Sequence, residues 1–246
     1  MRDQILAYAM RYHGEWAKIA KAIGNQEPWD KITSDESFTT IGDDDYPSKL
    51  RMLEYPPWII FYRGDLSLCE KPAISIVGSR NMSVDDEQHC KHIAHLLKLR
   101  NVLVSGLAMG IDGCVHREAL SNQTIGIIGC GLNVYYPQCN IILQQTLEKN
   151  HLVISEYPNG VKPLAYHFPW RNRLIAALGN ALVVIAATPR SGTMLTVNEA
   201  IALNRAIYCV PHAFGDASGL GCNQLISQGA NILCDDVDIA NIETCI

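Results

Sequence analysis

The residues best placed to do chemistry lie in Tyr166 to Asn180, read as YHFPWRNRLIAALGN. Pro169 suits the first position of a helix, because the N–H it lacks would find no partner there. The free N–H groups of such a turn and the positive end of the helix dipole favour an anion. Arg171 and Arg173 follow at once, where acidic residues are the stabilising choice. Cations set against the dipole cost stability, which implies a bound anion, and phosphate is the obvious candidate. A helical wheel then separates the pair: at about 100° per residue they project about 200° apart and cannot face one phosphate together. Arg171 shares a stripe with Leu174, Ile175 and Leu178 and is expected over a sheet edge, in a crevice. Arg173 lies on the opposite face, open to a second phosphate or a carboxylate.

The elements that would position these groups are legible from Ala73 onward. Apolar, β-branched runs at 73–78, 102–106, 124–129, 152–156, 181–187 and 206–210 alternate with helical patterns near 84–100, 112–121, 138–149, 169–179 and 193–204. A further helix near 221–229 and a short strand at 231–234 would close the pattern. Near-continuous apolar strands alternating with helices predict a parallel sheet covered on both faces, an α/β, doubly wound, Rossmann-like domain. Ligands of such sheets bind beyond the carboxyl ends of the strands. The residues following those ends are Gly78, Ser79 and Arg80; Ser105 and Gly106; Gly129 to Gly131; Ser155 and Glu156; and Arg190, Ser191, Gly192 and Thr193. Small residues there let backbone N–H groups approach a phosphate. Neither a G-x-x-x-x-G-K-[ST] loop nor a G-x-G-x-x-G after the first strand is present, which argues against ATPase and NAD-binding readings.

Each chemically suggestive residue has a plainer structural role to set beside it. Asp112 and Glu156 read as a helix cap or an arginine partner, since carboxylates repel a phosphodiester. Ser191 and Thr193 serve equally as helix caps or phosphate donors. Tyr136 and Phe168 suit base stacking or packing under their loops, with Phe168 favoured beside Arg171. Lys162 and Arg190 lie in loops of the same edge. His89, His92 and His95 recur every three residues, yet no fourth ligand completes a metal site and a solvated helix is the expectation.

Composition bounds the rest. Of 246 residues, 48% are hydrophobic and 18% charged, and the net charge is −5. An acidic chain that binds a polyanion needs a local basic pocket rather than bulk charge. The nine cysteines include no C-x-x-C pair, so free thiols are expected rather than zinc or disulfides. With no apolar run long enough for a bilayer and no signal-peptide pattern, a cytoplasmic protein is expected. Residues 1–36 read as a small helical segment not expected to fold alone, and 37–246 as the main domain. Within the latter, 41–72, with its WIIFYRG, reads as an extension packed on the sheet edge.

In this order, GSR (78–80), SGLAMGID (105–112), GCGLNVYYP (129–137), SEYPNG (155–160), HFPWRNR (167–173), RSGTMLT (190–196) and GCNQLISQGA (221–230) resemble the DprA/Smf family of bacterial DNA-processing proteins. The resemblance runs from about Ile41 to about Leu233. It implies an extended Rossmann fold that binds single-stranded DNA in natural transformation, protects it, loads the RecA recombinase and dimerises. It implies neither an enzyme nor a cofactor. The family's DNA pocket uses the arginine at Arg80. With it, the expected DNA contacts are Gly78, Ser79, Ser105, Gly106, Lys162, Phe168, Arg171, Arg173, Arg190, Ser191, Gly192 and Thr193. Leu225 and Ile226 are the candidate dimer contacts. The chain departs from the family pattern at Asn133, at Ala186-Ala187, at Pro211-His212, and at Gln138 and Ile141, where basic residues are usual. The winged-helix module that some members carry after the sheet is not expected. The competing reading is a nucleotide phosphoribohydrolase of the LOG type, whose signature glutamate follows the GT turn; here the first one is Glu199, a turn too late. A nucleotide-sensing module is a third.

Overall fold

Short runs of apolar residues form strands here because both of their faces are covered. β3 (Ala73–Val77), β4 (Val102–Ser105), β5 (Thr124–Ile127), β6 (Leu152–Ser155) and β7 (Ala181–Val184) are buried along their whole length. β8 (Ala206–Cys209) and β9 (Asn231–Ile232) carry the sheet toward an exposed edge. The computed structural model describes residues 1–242 and sets these strands parallel, in the order β6-β5-β4-β3-β7-β8-β9. Beyond β6 the sheet continues with two antiparallel strands, β2 (Ile59–Gly64) and then β1 (Ser37–Thr40). β2 is the expected WIIFYRG strand; β1 is an addition that the sequence did not announce.

Helices cover both faces. α3 (Val84–Leu97), α4 (Ile111–Ala119) and α5 (Ile141–Asn150) lie on one side. α6 (His167–Leu178), α7 (Gly192–Ala202) and α8 (Leu220–Ser227) lie on the other. The alternation of side chains along a strand divides the core accordingly. In β2, Ile60 joins the cluster containing Leu174 and Ile175 of α6. Its neighbours Ile59 and Phe61 face the opposite cluster, together with Leu143 and Leu147 of α5. That second cluster also takes Ile5, Leu6 and Tyr8 of α1 (Arg2–Arg11) and Ile19 of α2 (Trp16–Gly24). The N-terminal helices thus bury their apolar face on the sheet itself.

The chain runs outward through β3, β4, β5 and β6, then crosses back to lay β7 on the other side of β3. Val77 pairs with Val184 at that junction, and the loops leaving β3 and β7 diverge there to opposite faces. This is the switch point at which doubly wound sheets hold ligands. α6 forms the crossover. It starts at His167, two residues before Pro169, because a proline is tolerated anywhere in the first turn where N–H groups lack helical partners. Its far end has no basic residue of its own. Lys49 supplies one: its Nζ donates to the carbonyls of Leu178 (3.2 Å) and Lys71 (2.8 Å) and to Asn180 Oδ1 (3.1 Å).

Among the described residues no helix is long and apolar enough to cross a membrane, and no group of histidine, cysteine and acidic side chains is arranged to hold a metal. His92 pairs instead with Asp236, and His95 with Glu118. The eight described cysteines are free thiols; Cys245 lies outside the described residues.

Candidate functional site

A cleft of about 660 Å³ opens at the switch point. One wall is the end of β3 with Gly78, Ser79 and Arg80; the facing one is the loop from β7 into α7, with Thr188, Ser191, Gly192 and Thr193. The first turns of α6 close a third side through Phe168, Pro169 and Asn172, and Arg171 and Asp112 reach its floor. A smaller pocket shares Arg80, Ala108, Tyr136, Phe168 and Arg171 with it and runs toward Met109 and Pro137.

Arg80 is exposed. Its guanidinium carbon lies 5.7 Å from the centre of the Phe168 ring, and Phe168 in turn lies 5.5 Å from the Tyr136 ring. Among the described residues Arg80 forms no ion pair with a carboxylate, in contrast to Arg173. Across the cleft, α7 begins without a side-chain cap. Ser191 turns its hydroxyl to the Thr188 carbonyl (2.8 Å), and Thr193 donates to the Gly78 carbonyl (3.1 Å). The two hydroxyls therefore brace the walls. What the turn presents to the cleft is backbone N–H at a helix start, a natural seat for an anion.

Arg171 points toward the carboxyl edge, as the wheel requires, but it is not free. It is only 3% exposed and donates to the carbonyls of Gly106 (2.6 Å) and Ile127, holding the ends of β4 and β5 together. Burial lowers its pKa to about 10, against the opposing pull of the Asp112 carboxyl. Burial likewise raises the pKa of Asp112, which Arg171 draws back down. A side chain on Gly106 would strike both Arg171 Nη1 and Asp112 Oδ2, so this glycine makes room for the pair. Ser105 is fully buried and donates to the Ile76 carbonyl (2.7 Å). Ser105 thus lies under the cleft as a packing residue, a correction to its expected place among the contacts, while Gly106 makes room for the pair and borders the smaller pocket.

The larger correction concerns Arg173. It too is 3% exposed, and it forms a two-pronged ion pair with Glu156 at 2.5 and 2.6 Å. It also donates to the carbonyls of Trp170 (2.9 Å) and Tyr55 (3.2 Å), and lies 4.1 Å from the centre of the Trp170 ring. The loop before β2 covers this face of α6, so the arginine meets a carboxylate instead of a phosphate. Glu156 takes the arginine-orienting role read for it in the sequence. His167, first in the helix, is also buried: Nδ1 is 3.0 Å from the Gly129 carbonyl and its ring stacks on Tyr157.

Lys162 and Arg190 are exposed beside the cleft-lining Pro163 and Ser191. Asn172, Asn81 and Thr196 also line the cleft and went unnamed in the sequence reading. Asn172 was within reach, lying one helical turn from Phe168. Leu225 is 5% exposed within the monomer's own core, which removes it as a free dimer contact; only Ile226 beside it keeps surface.

Fold and cleft together define a Rossmann-like protein with a cleft at the switch point of its sheet. The family model for DNA recombination-mediator protein A matches residues 37–243, and the chain belongs to that family. It is 39% identical to the DNA processing protein DprA of Streptococcus pneumoniae over 202 residues, 81% of this chain and 72% of that one. Against DprA of Bacillus subtilis the figure is 32%, over 97% and 80% of the two chains. The X-ray structure of the Streptococcus pneumoniae protein superposes with a TM-score of 0.83 at 33% identity, covering 99% of this chain and 94% of that one. A structure concerned with the single-stranded DNA binding mode of DprA from Helicobacter pylori superposes at 0.75 with 29% identity, covering 85% and 95%.

Proposed function

We propose that this protein binds single-stranded DNA with its phosphate backbone in the cleft at the switch point, and does no chemistry on it. The observation that carries the reading is Arg80, an exposed guanidinium without an ion-pair partner, standing on Phe168 opposite the uncapped start of α7. A cation, free backbone donors and an aromatic ring in one groove are what sequence-tolerant single-strand binding uses. The DNA-binding relative from Helicobacter pylori supports it. Gly78, Ser79, Gly192, Lys162 and Arg190 are the further contacts in this reading, with Thr193 and Ser191 holding the walls. Asp112 is the sole carboxylate lining the cleft among the described residues, and it is committed opposite Arg171. Glu199 is absent from that lining, which counts against a phosphoribohydrolase.

The wider role follows from the family: a dimer in the cytoplasm that shields incoming DNA and passes it to RecA, Ile226 contributing to the contact between copies. Fluorescence anisotropy with labelled single- and double-stranded oligonucleotides tests the central point. Tight single-strand binding that weakens roughly ten- to hundredfold in Arg80→Ala is the expected outcome. Binding unchanged in that variant would sink the pocket, and release of free base from a nucleoside monophosphate would restore the enzyme.

A further inference from the structure

The loop from β8 to α8 belongs to the same carboxyl edge as the cleft and ends in a side chain that the fold leaves wholly in solvent. Phe214 has a relative exposure of 107%. It occupies the second position of a tight turn closed by the Asp216 N–H on the Ala213 carbonyl (3.1 Å). Gly215 follows at φ +86°, the left-handed value that the third position of a type II turn needs. This turn projects Phe214 outward.

The root of the loop is fixed on both sides of the cleft. His212 Nε2 lies 3.0 Å from Asp86 in the first turn of α3, the helix that follows the Arg80 loop. His212 is also held by Asn223 through its N–H and carbonyl, each at 3.0 Å. At the other end, Gly221 N–H donates to the Ala187 carbonyl (2.7 Å), next to the cleft-lining Thr188. Asp86 is buried against His212, and the exposed Asp216 is held back along its own turn by the Ser218 N–H and hydroxyl, so the loop offers the Phe214 ring with one carboxylate beside it. Along the sheet, Tyr136 follows β5, Arg80 follows β3, Arg190 follows β7 and Phe214 follows β8. At about 4.8 Å between strands, β5 and β8 are separated by about 19 Å, a span of a few nucleotides.

We propose that Phe214 is a second base-stacking residue, placed to hold single-stranded DNA after it has crossed the cleft from the Tyr136–Phe168 end. This rests on the reading of the cleft as a single-strand site. A path running across β5, β4, β3, β7 and β8 gives the strand two aromatic ends with Arg80 and Arg190 between them.

The test measures affinity for a labelled oligothymidylate of about 20 nucleotides in wild type, Phe214→Ala, Phe214→Leu, Phe214→Tyr and Arg80→Ala, with the mass of each free protein from sedimentation. The expected result is about tenfold weaker binding for both Phe214→Ala and Phe214→Leu, with Phe214→Tyr at the wild-type level, since stacking needs a ring and not mere apolar area. Full exposure of Phe214 keeps folding out of the comparison. Unaltered affinity in Phe214→Ala, with binding weakened tenfold or more in Arg80→Ala, would overturn this proposal and leave the cleft standing. No binding by wild type would remove both. Weakened binding accompanied by a fall in mass would assign Phe214 to a contact between copies and overturn the stacking role.

Discussion

Arg80 and Arg173 lie on opposite flanks of α6 and illustrate two uses of one side chain. Arg173 is enclosed, with Glu156, two carbonyls and the Trp170 ring taking up its charge and its donors. Arg80 is exposed, lies over the Phe168 ring, and has no carboxylate partner among the described residues. A guanidinium satisfied from within the protein has nothing left for a ligand, and its removal strands a buried charge. One left unsatisfied at the mouth of a cleft contributes little to folding and has its donors available. Arg171 stands between them, buried yet lining the floor.

The sharpest way to break this contrast is to remove the enclosed arginine. Arg173→Ala is expected to cost about 3–5 kcal/mol of stability, because Glu156 is left buried without its partner; chemical denaturation reads it directly. Arg171→Ala should cost less, about 1–3 kcal/mol, by stranding the Gly106 and Ile127 carbonyls. Compared at equal folded fraction, it should weaken oligonucleotide binding more than Arg173→Ala does; the reverse order would contradict the placement of the two side chains. Arg80→Ala should invert the pattern. Its melting should stay within about 0.5 kcal/mol of wild type, while single-strand affinity falls roughly ten- to hundredfold, as for a lost charge-assisted hydrogen bond.

A buried group with no charge partner should reveal itself through pH. Burial depresses the pKa of His116 to about 3, whereas the unfolded chain takes up the proton near pH 6.5. Stability is therefore complete above about pH 6.5 and lost as pH falls toward 3, since the unfolded state binds the extra proton. Between about pH 6 and 4.5, where this proton is bound by the unfolded chain alone, His116→Gln should reduce the slope by about 1.4 kcal/mol per pH unit. His151 and His167, shifted the same way by burial, retain theirs. The smallest effect belongs to the rim: Lys162→Ala and Arg190→Ala should each weaken binding by less than about fivefold, as for exposed charges in water.

The parallel strands were legible because each is a local run of apolar residues, and the loops at their carboxyl ends gave most of the cleft by topology alone. β1 was not, since Ser37 to Thr40 carries no apolar alternation and becomes a strand only by pairing with β2. The helical wheel placed Arg171 and Arg173 on the correct faces of α6. It had no access to what covers the second face, a loop more than a hundred residues earlier whose Tyr55 carbonyl meets Arg173. The same distance problem hid the filling of Gly106's surroundings by Arg171 and Asp112. Local pattern reveals which way a side chain points; whether it arrives at solvent or at another segment is decided by the rest of the chain.

The Lys49 ammonium reaches across to the end of α6 and to the start of β3 at once. Its consequence is one of modularity. The parallel sheet begins only at Ala73, and a shortened chain starting there would keep every residue that lines the cleft. It would nevertheless leave the carbonyl end of the cleft's own helix without its cation, and Arg173 without its Tyr55 contact. Neutralising that single half-buried amine, as in Lys49→Gln, would remove the same cation from the helix end while leaving the Tyr55 contact in place.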